Sequence, residues 1–363
     1  MRTPARLLAL MPAAALVVAV GAGPATADDR PVPGPGTTVA AGAPALPTGL
    51  TAVSFLVADL DSGDILAAKD AHHPLLPAST LKVLTALTLL PRVPKYSTVT
   101  PTFDDVNIEG SRVGIIENHH YPAYQIFRAM LMVSGNDAAN AIASAAGGQA
   151  ETARLMNEEA RRIGAFSTHA INPSGLDAAE QKTTAYDLAI IGRAAMQIPD
   201  FRIYVATKRS TINGKDGHPL RVSSHDKVLW NYDGAIGIKN GYTVKAGATF
   251  VAAATRGGRT LIVTVLHAQA RVWPEVAHLL DWGFAAEKAG AAPLGRLPDP
   301  PAAPTIPQTG PQVAKVRAAA EHTRDEPSSP LVPIEIVAGA GLVVFLVVRQ
   351  RRRPQPLKLD LPL

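Results

Sequence analysis

Two groups of β-rich segments bracket a long helical stretch, and this order limits the possible fold more than any other feature of the chain. Val53-Ser54-Phe55-Leu56-Val57-Ala58 and Ile65-Leu66-Ala67-Ala68, joined by the turn signal Asp61-Ser62-Gly63-Asp64, read as a pair of strands. Short β-rich runs return at Ala235-Ile236-Gly237-Ile238, at Thr249-Phe250-Val251-Ala252-Ala253-Ala254 and at Thr260–Leu266. Between the groups, apolar spacing predicts helices over Tyr124–Val133, Asp137–Ala146, Thr152–Ile163 and Ala185–Met196, and a last helix fits Trp273–Phe284. In Thr80–Leu90 the apolar residues nearly surround the axis, which predicts a buried helix stopped by Pro91. The expected fold class is therefore α+β: an antiparallel sheet completed by both ends of the domain, flanked by helices, with a helical subdomain inserted.

The segments outside this pattern have different chemistry. Residues 1–27 carry Arg2 and Arg6, an apolar run from Leu7 to Val20, and Ala25-Thr26-Ala27, which reads as a cleavable signal peptide. Residues 28–47 are rich in Pro and Gly and read as a linker, and residues 289–330, rich in Pro and Ala, read as another. The catalytic domain is then expected at 48–288. Leu331–Val348 is apolar apart from Glu335 and is followed by Arg349, Arg351, Arg352 and Arg353, so 331–348 reads as a transmembrane helix and 349–363 as a basic cytoplasmic tail. That topology places the domain outside the cell, on a single-pass anchor. The formal charge of +5 arises from these two ends and gives no reason to expect nucleic acid. With no cysteine, thiol catalysis and Cys-ligated metal centres are excluded.

Three short elements carry candidate chemistry. Ser79 and Lys82 lie one turn apart at the start of the buried helix, where backbone N–H groups are free to meet an oxyanion. The same spacing recurs at Ser224-His225-Asp226-Lys227, but that match lies in a polar stretch and is expected to be a surface loop. Ser134-Gly135-Asn136 breaks two helical runs, and Lys239-Asn240-Gly241 closes an apolar strand. Taken singly, each has a plain structural reading: Ser79 as a helix cap, Ser134 as another, Lys239 as a solvated turn lysine.

In this order the three elements resemble the serine-type D-alanyl-D-alanine carboxypeptidases, the low-molecular-weight penicillin-binding proteins, with their Ser-x-x-Lys, Ser-x-Asn and Lys-Thr-Gly motifs. The resemblance extends to residues 74–90, to Ser134-Gly135-Asn136-Asp137-Ala138-Ala139-Asn140, to Asn172-Pro173-Ser174-Gly175-Leu176 and to Thr183–Ala189. It implies a β-lactamase/transpeptidase-like fold and removal of the terminal D-alanine from peptidoglycan stem peptides through an acyl-enzyme. It also implies acylation by β-lactams and no cofactor. By this analogy Ser79 is the nucleophile, Lys82 its base and Ser134 a proton relay to the leaving amine. Asn136 would hold the substrate's peptide amide and Lys239 its terminal carboxylate. Gly241 completes the third motif, and the N–H groups of Ser79 and Tyr242 form the oxyanion hole. Asn240 stands where the family usually has threonine, so the carboxylate-binding donor is expected to be either the Asn240 amide or the Thr243 hydroxyl.

Alternatives come from other classes. A β-lactamase-like hydrolase would need a deacylating Glu-x-x-Leu-Asn loop between the second and third motifs, which this chain lacks. A non-catalytic receptor for wall peptides or β-lactams would need a signalling partner, the tail being short. A metal hydrolase is disfavoured because His72-His73 and His119-His120 are adjacent pairs whose rings point apart, and there is no His-Glu-x-x-His.

Overall fold

The computed structural model describes residues 34–302. Its main sheet contains β1 (Thr37–Val39), β2 (Ser54–Asp59) and β3 (Asp64–Lys69) from the beginning of the chain. The helical stretch opens with a 3₁₀ turn at Ala78–Leu81, which leads into α1 (Lys82–Leu89). A small ladder, β4 (Thr98–Val99) with β5 (Tyr121–Pro122), brackets α2 (Phe103–Val106). Then come α3 (Ala123–Val133), α4 (Asn136–Ala145), α5 (Gln149–Arg162), α6 (Ala185–Ala195) and α7 (Pro199–Val205). A hairpin of β6 (Arg209–Ile212) and β7 (Leu220–Ser223) precedes α8 (Lys227–Asn231). The chain returns to the sheet as β8 (Ala235–Thr243), β9 (Gly247–Arg256) and β10 (Arg259–Ala268), then forms α9 (Trp273–Lys288) and β11 (Gly295–Arg296).

The sheet runs β1-β3-β2-β10-β9-β8, with β11 also on β3, and every pairing is antiparallel. Both faces are covered, which is why its strands are apolar without polar alternation. Side chains alternate across the pleat, so Leu56, Ala58, Val251, Ala253 and Ile262 face a core shared with α1 and α6. Phe55, Val57, Ala252, Leu261 and Val263 face Val276, Leu279 and Leu280 of α9. This is the expected α+β arrangement, with the central strands contributed by the two ends of the domain.

The linker boundaries need correction. Thr37–Val39, inside the stretch read as the first linker, pairs with Lys69 to Ala67 of β3. Gly295–Arg296, inside the second, pairs with Ile65 and Asp64 of the same strand. Arg193 of α6, 2% exposed, ties this end together by donating to the carbonyls of Leu60, Asp61, Leu297 and Pro298. A guanidinium buried so deeply is held by several carbonyl partners that offset its desolvation. The expected signal peptide, transmembrane helix and basic tail lie outside the described residues. Among the described residues no helix is long and apolar enough to cross a membrane.

Candidate active site

Ser79 sits within the 3₁₀ turn, after Ala78, whose φ of 46° lies in the left-handed region. The turn has no side-chain cap, so the cap reading of Ser79 does not hold. Lys82, one turn on, is wholly buried in the apolar helix that the sequence predicts. Its Nζ lies 3.0 Å from Ser79 Oγ, 2.7 Å from Asn136 Oδ1 and 2.5 Å from the Ser174 carbonyl oxygen. Burial holds the Lys82 amine well below the usual lysine range, and the positive charge of Lys239 lowers it further; Asp137 opposes both. The neutral amine is thus favoured over the ammonium relative to a solvated lysine.

Two loops hold these acceptors in place. Ser134 ends α3 in the left-handed conformation, at φ 63°, which breaks the chain and lets α4 start at Asn136. Asn136 uses both ends of its amide: Oδ1 accepts from Lys82 and Nδ2 donates to the Glu109 carbonyl at 2.8 Å. Asn136, expected to hold the substrate's amide, is thus in direct contact with Lys82. Asp137 accepts from the N–H groups of Val113, Gly114 and Ile115, pinning the same loop. On the other side, Asn172 Oδ1 accepts from Ser174 N, Ser174 Oγ and Gly175 N, an Asx turn that aims the Ser174 carbonyl at Lys82. Ser174 is a site residue that motif reasoning missed, because it contributes a backbone atom.

Strand β8 brings in the third element. A Cβ at Gly241 would lie 2.7 Å from Ser79 N, and one at Gly175, where φ is +82°, only 1.9 Å from the Ala78 carbonyl oxygen. Both approaches require glycine. Lys239, 1% exposed, donates to the Asn240 carbonyl at 2.6 Å. Burial pushes its amine down to about 7, against the opposing charge of Asp226. The Asn240 side chain makes no hydrogen bond among the described residues, whereas the Thr243 hydroxyl donates to Asp177 Oδ1 at 2.8 Å and accepts from Ala246 N. Of the two expected carboxylate donors, Thr243 is committed elsewhere and Asn240 is free. Tyr242 is 59% exposed and lies on the open edge of the sheet. Ser134 Oγ, in a residue only 5% exposed, carries no hydrogen bond among the described residues.

The second Ser-x-x-Lys match needs a correction. Ser224 and Asp226 are buried, and only His225 and Lys227 are exposed. Ser224 N donates to the Lys208 carbonyl, Trp230 Nε1 donates to the Ser224 carbonyl, and Asp226 caps α8 by accepting from Leu229 N. This segment leads into α8, which packs on β8, although its serine and lysine do not pair. The histidines do not converge: His72 packs on Tyr186, His119 packs on Tyr121, and His120 Nδ1 is hydrogen-bonded to the Thr100 hydroxyl.

A family model described as D-alanyl-D-alanine carboxypeptidase matches residues 38–270. The D-alanyl-D-alanine carboxypeptidase DacB2 of Mycobacterium tuberculosis is 43% identical over 254 residues, covering 68% of this chain and 86% of that protein. DacA of Escherichia coli is 31% identical over 255 residues, and there the match spans 61% of the relative's length. A crystal structure of a D-alanyl-D-alanine carboxypeptidase from Mycobacterium tuberculosis superposes with a TM-score of 0.66 at 42% identity, covering 68% of this chain and 96% of that one. A Streptomyces DD-transpeptidase superposes with a TM-score of 0.63 at 28% identity, covering 67% and 100%. Shared sequence, shared fold and a buried lysine set against a serine at the matching motif lead to one assignment: the chain belongs to the D-alanyl-D-alanine carboxypeptidase family.

Proposed function

We propose that this chain is a serine-type carboxypeptidase that removes the terminal D-alanine from peptidoglycan stem peptides, with Ser79 as nucleophile and Lys82 as its base. The observation that carries this reading is the set of partners around Lys82. A neutral amine has two N–H bonds and one lone pair. Asn136 Oδ1 and the Ser174 carbonyl accept the two N–H bonds, so the lone pair is left to face the Ser79 hydroxyl. The base is oriented before substrate arrives.

The steps follow from that orientation. The terminal carboxylate binds between the Lys239 ammonium and the Asn240 amide, while the peptide lies along the open edge of β8. Ser79 Oγ attacks the carbonyl of the penultimate D-alanine and its proton passes to Lys82. The backbone N–H groups of Ser79 and Tyr242 stabilise the oxyanion. Collapse breaks the peptide bond, with the amine of the departing D-alanine protonated from Lys82 through the unengaged Ser134 hydroxyl. Water then attacks the ester, returning the proton to Ser79 and releasing the shortened peptide. A β-lactam acylates the same oxygen, and its ring-opened amine stays attached to the acyl group.

The signal peptide at 1–27 and the apolar segment 331–348 support an exported enzyme held at the cell membrane, its domain facing the wall. Protease shaving of intact cells would release the domain. Intact-mass measurement of the purified protein with penicillin, together with D-alanine release from a pentapeptide, tests the chemistry. One penicilloyl group per chain and free D-alanine are expected. An adduct without D-alanine would indicate a receptor, and neither would refute the reading.

A further inference from the structure

Asp226 is a buried carboxylate that none of these steps uses. It is 3% exposed, and its Oδ1 caps α8 through Leu229 N. Its Oδ2 is shut away from solvent with no hydrogen-bond partner. A cap needs one oxygen, and a serine or asparagine supplies it without burying a charge. An unpaired buried carboxylate is costly, so a counter-charge nearby has to offset it.

That counter-charge is Lys239. It is the other buried ion in this part of the protein, and its Nζ makes one hydrogen bond among the described residues, to the neighbouring Asn240 carbonyl. Helix α8 packs on β8, which carries Lys239. Each ion is under-satisfied alone, and the two act on each other: Asp226 draws the Lys239 amine upward and Lys239 draws the Asp226 carboxyl downward. The loop is fixed, since His225 N donates to the Met132 carbonyl at the end of α3, just before Ser134. Other charges also face β8: Asp177 accepts from the Thr243 hydroxyl at the end of the strand. Lys82 on α1 and a charged His225 repel Lys239, and Lys227 acts on His225. On α7, Tyr204 is under the influence of Asp200 and Arg128, and Arg256 of β9 pairs with Asp281. Asp226 is thus the acidic group that answers Lys239.

We propose that Asp226 is the counter-ion of Lys239: its buried carboxylate keeps the proton on the Lys239 amine and so sets the upper pH limit at which the cleft holds a substrate carboxylate. It is a positioning residue, acting through Lys239 and not on substrate. The proposal rests on the carboxypeptidase reading for its effect on turnover, but the electrostatic coupling of Asp226 and Lys239 does not.

Asp226→Asn, which is isosteric and keeps the cap oxygen, tests this in the full-length protein. Without the negative charge Lys239 loses its proton at lower pH. The alkaline limb of kcat/KM for D-Ala-D-Ala peptide is expected to move to lower pH, with the loss appearing in KM. Each unit moved costs about tenfold above the limb. Below about 6, where the Asp226 carboxyl itself protonates, the variant and wild type should converge. A second measurement needs no substrate: NMR titration of ¹³Cε-labelled lysine, with the Lys239 signal assigned by Lys239→Arg, should show the same downward move. Asp226→Ser, which also keeps a cap, should reproduce both results, with folding checked by circular dichroism. Superimposable titrations of Lys239 in wild type and folded variants would overturn the coupling, whatever the enzyme's activity. A moved titration with an unmoved KM profile would overturn its role in holding the carboxylate.

Discussion

Gly241 passes so close to Ser79 that a side chain there would begin 2.7 Å from the Ser79 amide nitrogen. The Ser79 turn and strand β8 are therefore held in contact through backbone, with no side chain to yield between them. Gly241→Ala should push β8 away from the 3₁₀ turn, at a cost of ~1–3 kcal/mol in stability. Acylation by penicillin should fall by at least about tenfold, because a misplacement near 1 Å has large kinetic consequences. Stopped-flow acylation and thermal melting would measure the two effects; unchanged acylation in a folded Gly241→Ala variant would show that this contact does not set the geometry.

Ser79→Ala should abolish both the penicilloyl adduct and release of D-alanine. Its effect on folding should be small, about 1 kcal/mol, since the hydroxyl's hydrogen bond is to Lys82 and no helix cap is lost. Lys82→Ala should slow acylation by about a hundred- to ten-thousand-fold. Lys227→Ala should do little, because that side chain is exposed. Mass spectrometry of each variant after timed exposure to penicillin separates these outcomes.

Asn240→Ala should raise KM for D-Ala-D-Ala peptide several-fold, since the free amide is the unengaged donor beside Lys239. Asn240→Thr should retain or improve turnover. Thr243→Val should instead lower stability by breaking the bond to Asp177 and the turn to Ala246, without a matching change in KM. The reverse pattern would return carboxylate recognition to Thr243.

The pH profile should be bell-shaped. Lys82 must be neutral to accept the Ser79 proton, so activity rises with pH as its amine, depressed by burial and by Lys239, deprotonates. Lys239 must be charged to hold the carboxylate, so activity falls as pH passes about 7. The two amines repel, and the limbs belong to the pair. A rate that keeps climbing to pH 10 would rule out a charged Lys239 in turnover.

The candidate site was legible because three motifs occur in order, Ser79 with Lys82, Ser134 with Asn136, and Lys239 with Gly241, whereas the first spacing alone recurs at Ser224 and Lys227. The sequence did not show what completes the site. The Ser174 carbonyl reaches Lys82 from 92 residues away and leaves no side-chain signature. Asp226 stands in a stretch of polar letters that reads as solvated, and it is buried only because α8 folds onto β8. Asn136 was placed in the cleft by its motif, but its amide is used by Lys82 and the Glu109 carbonyl, a choice fixed by packing. Strands β1 and β11, three and two residues long, are too short for any periodicity to mark them.

Those two short strands have a mechanical consequence. Both lie on the outer side of β3, and β8, which carries Lys239 and Gly241, is the opposite edge of the sheet, five strand spacings or roughly 24 Å away. The chain thus enters and leaves the described fold on its back. A force applied at either end of the described fold would load the β3 edge and the Arg193 clasp first, with the rest of the sheet between that load and the contact of Gly241 with Ser79.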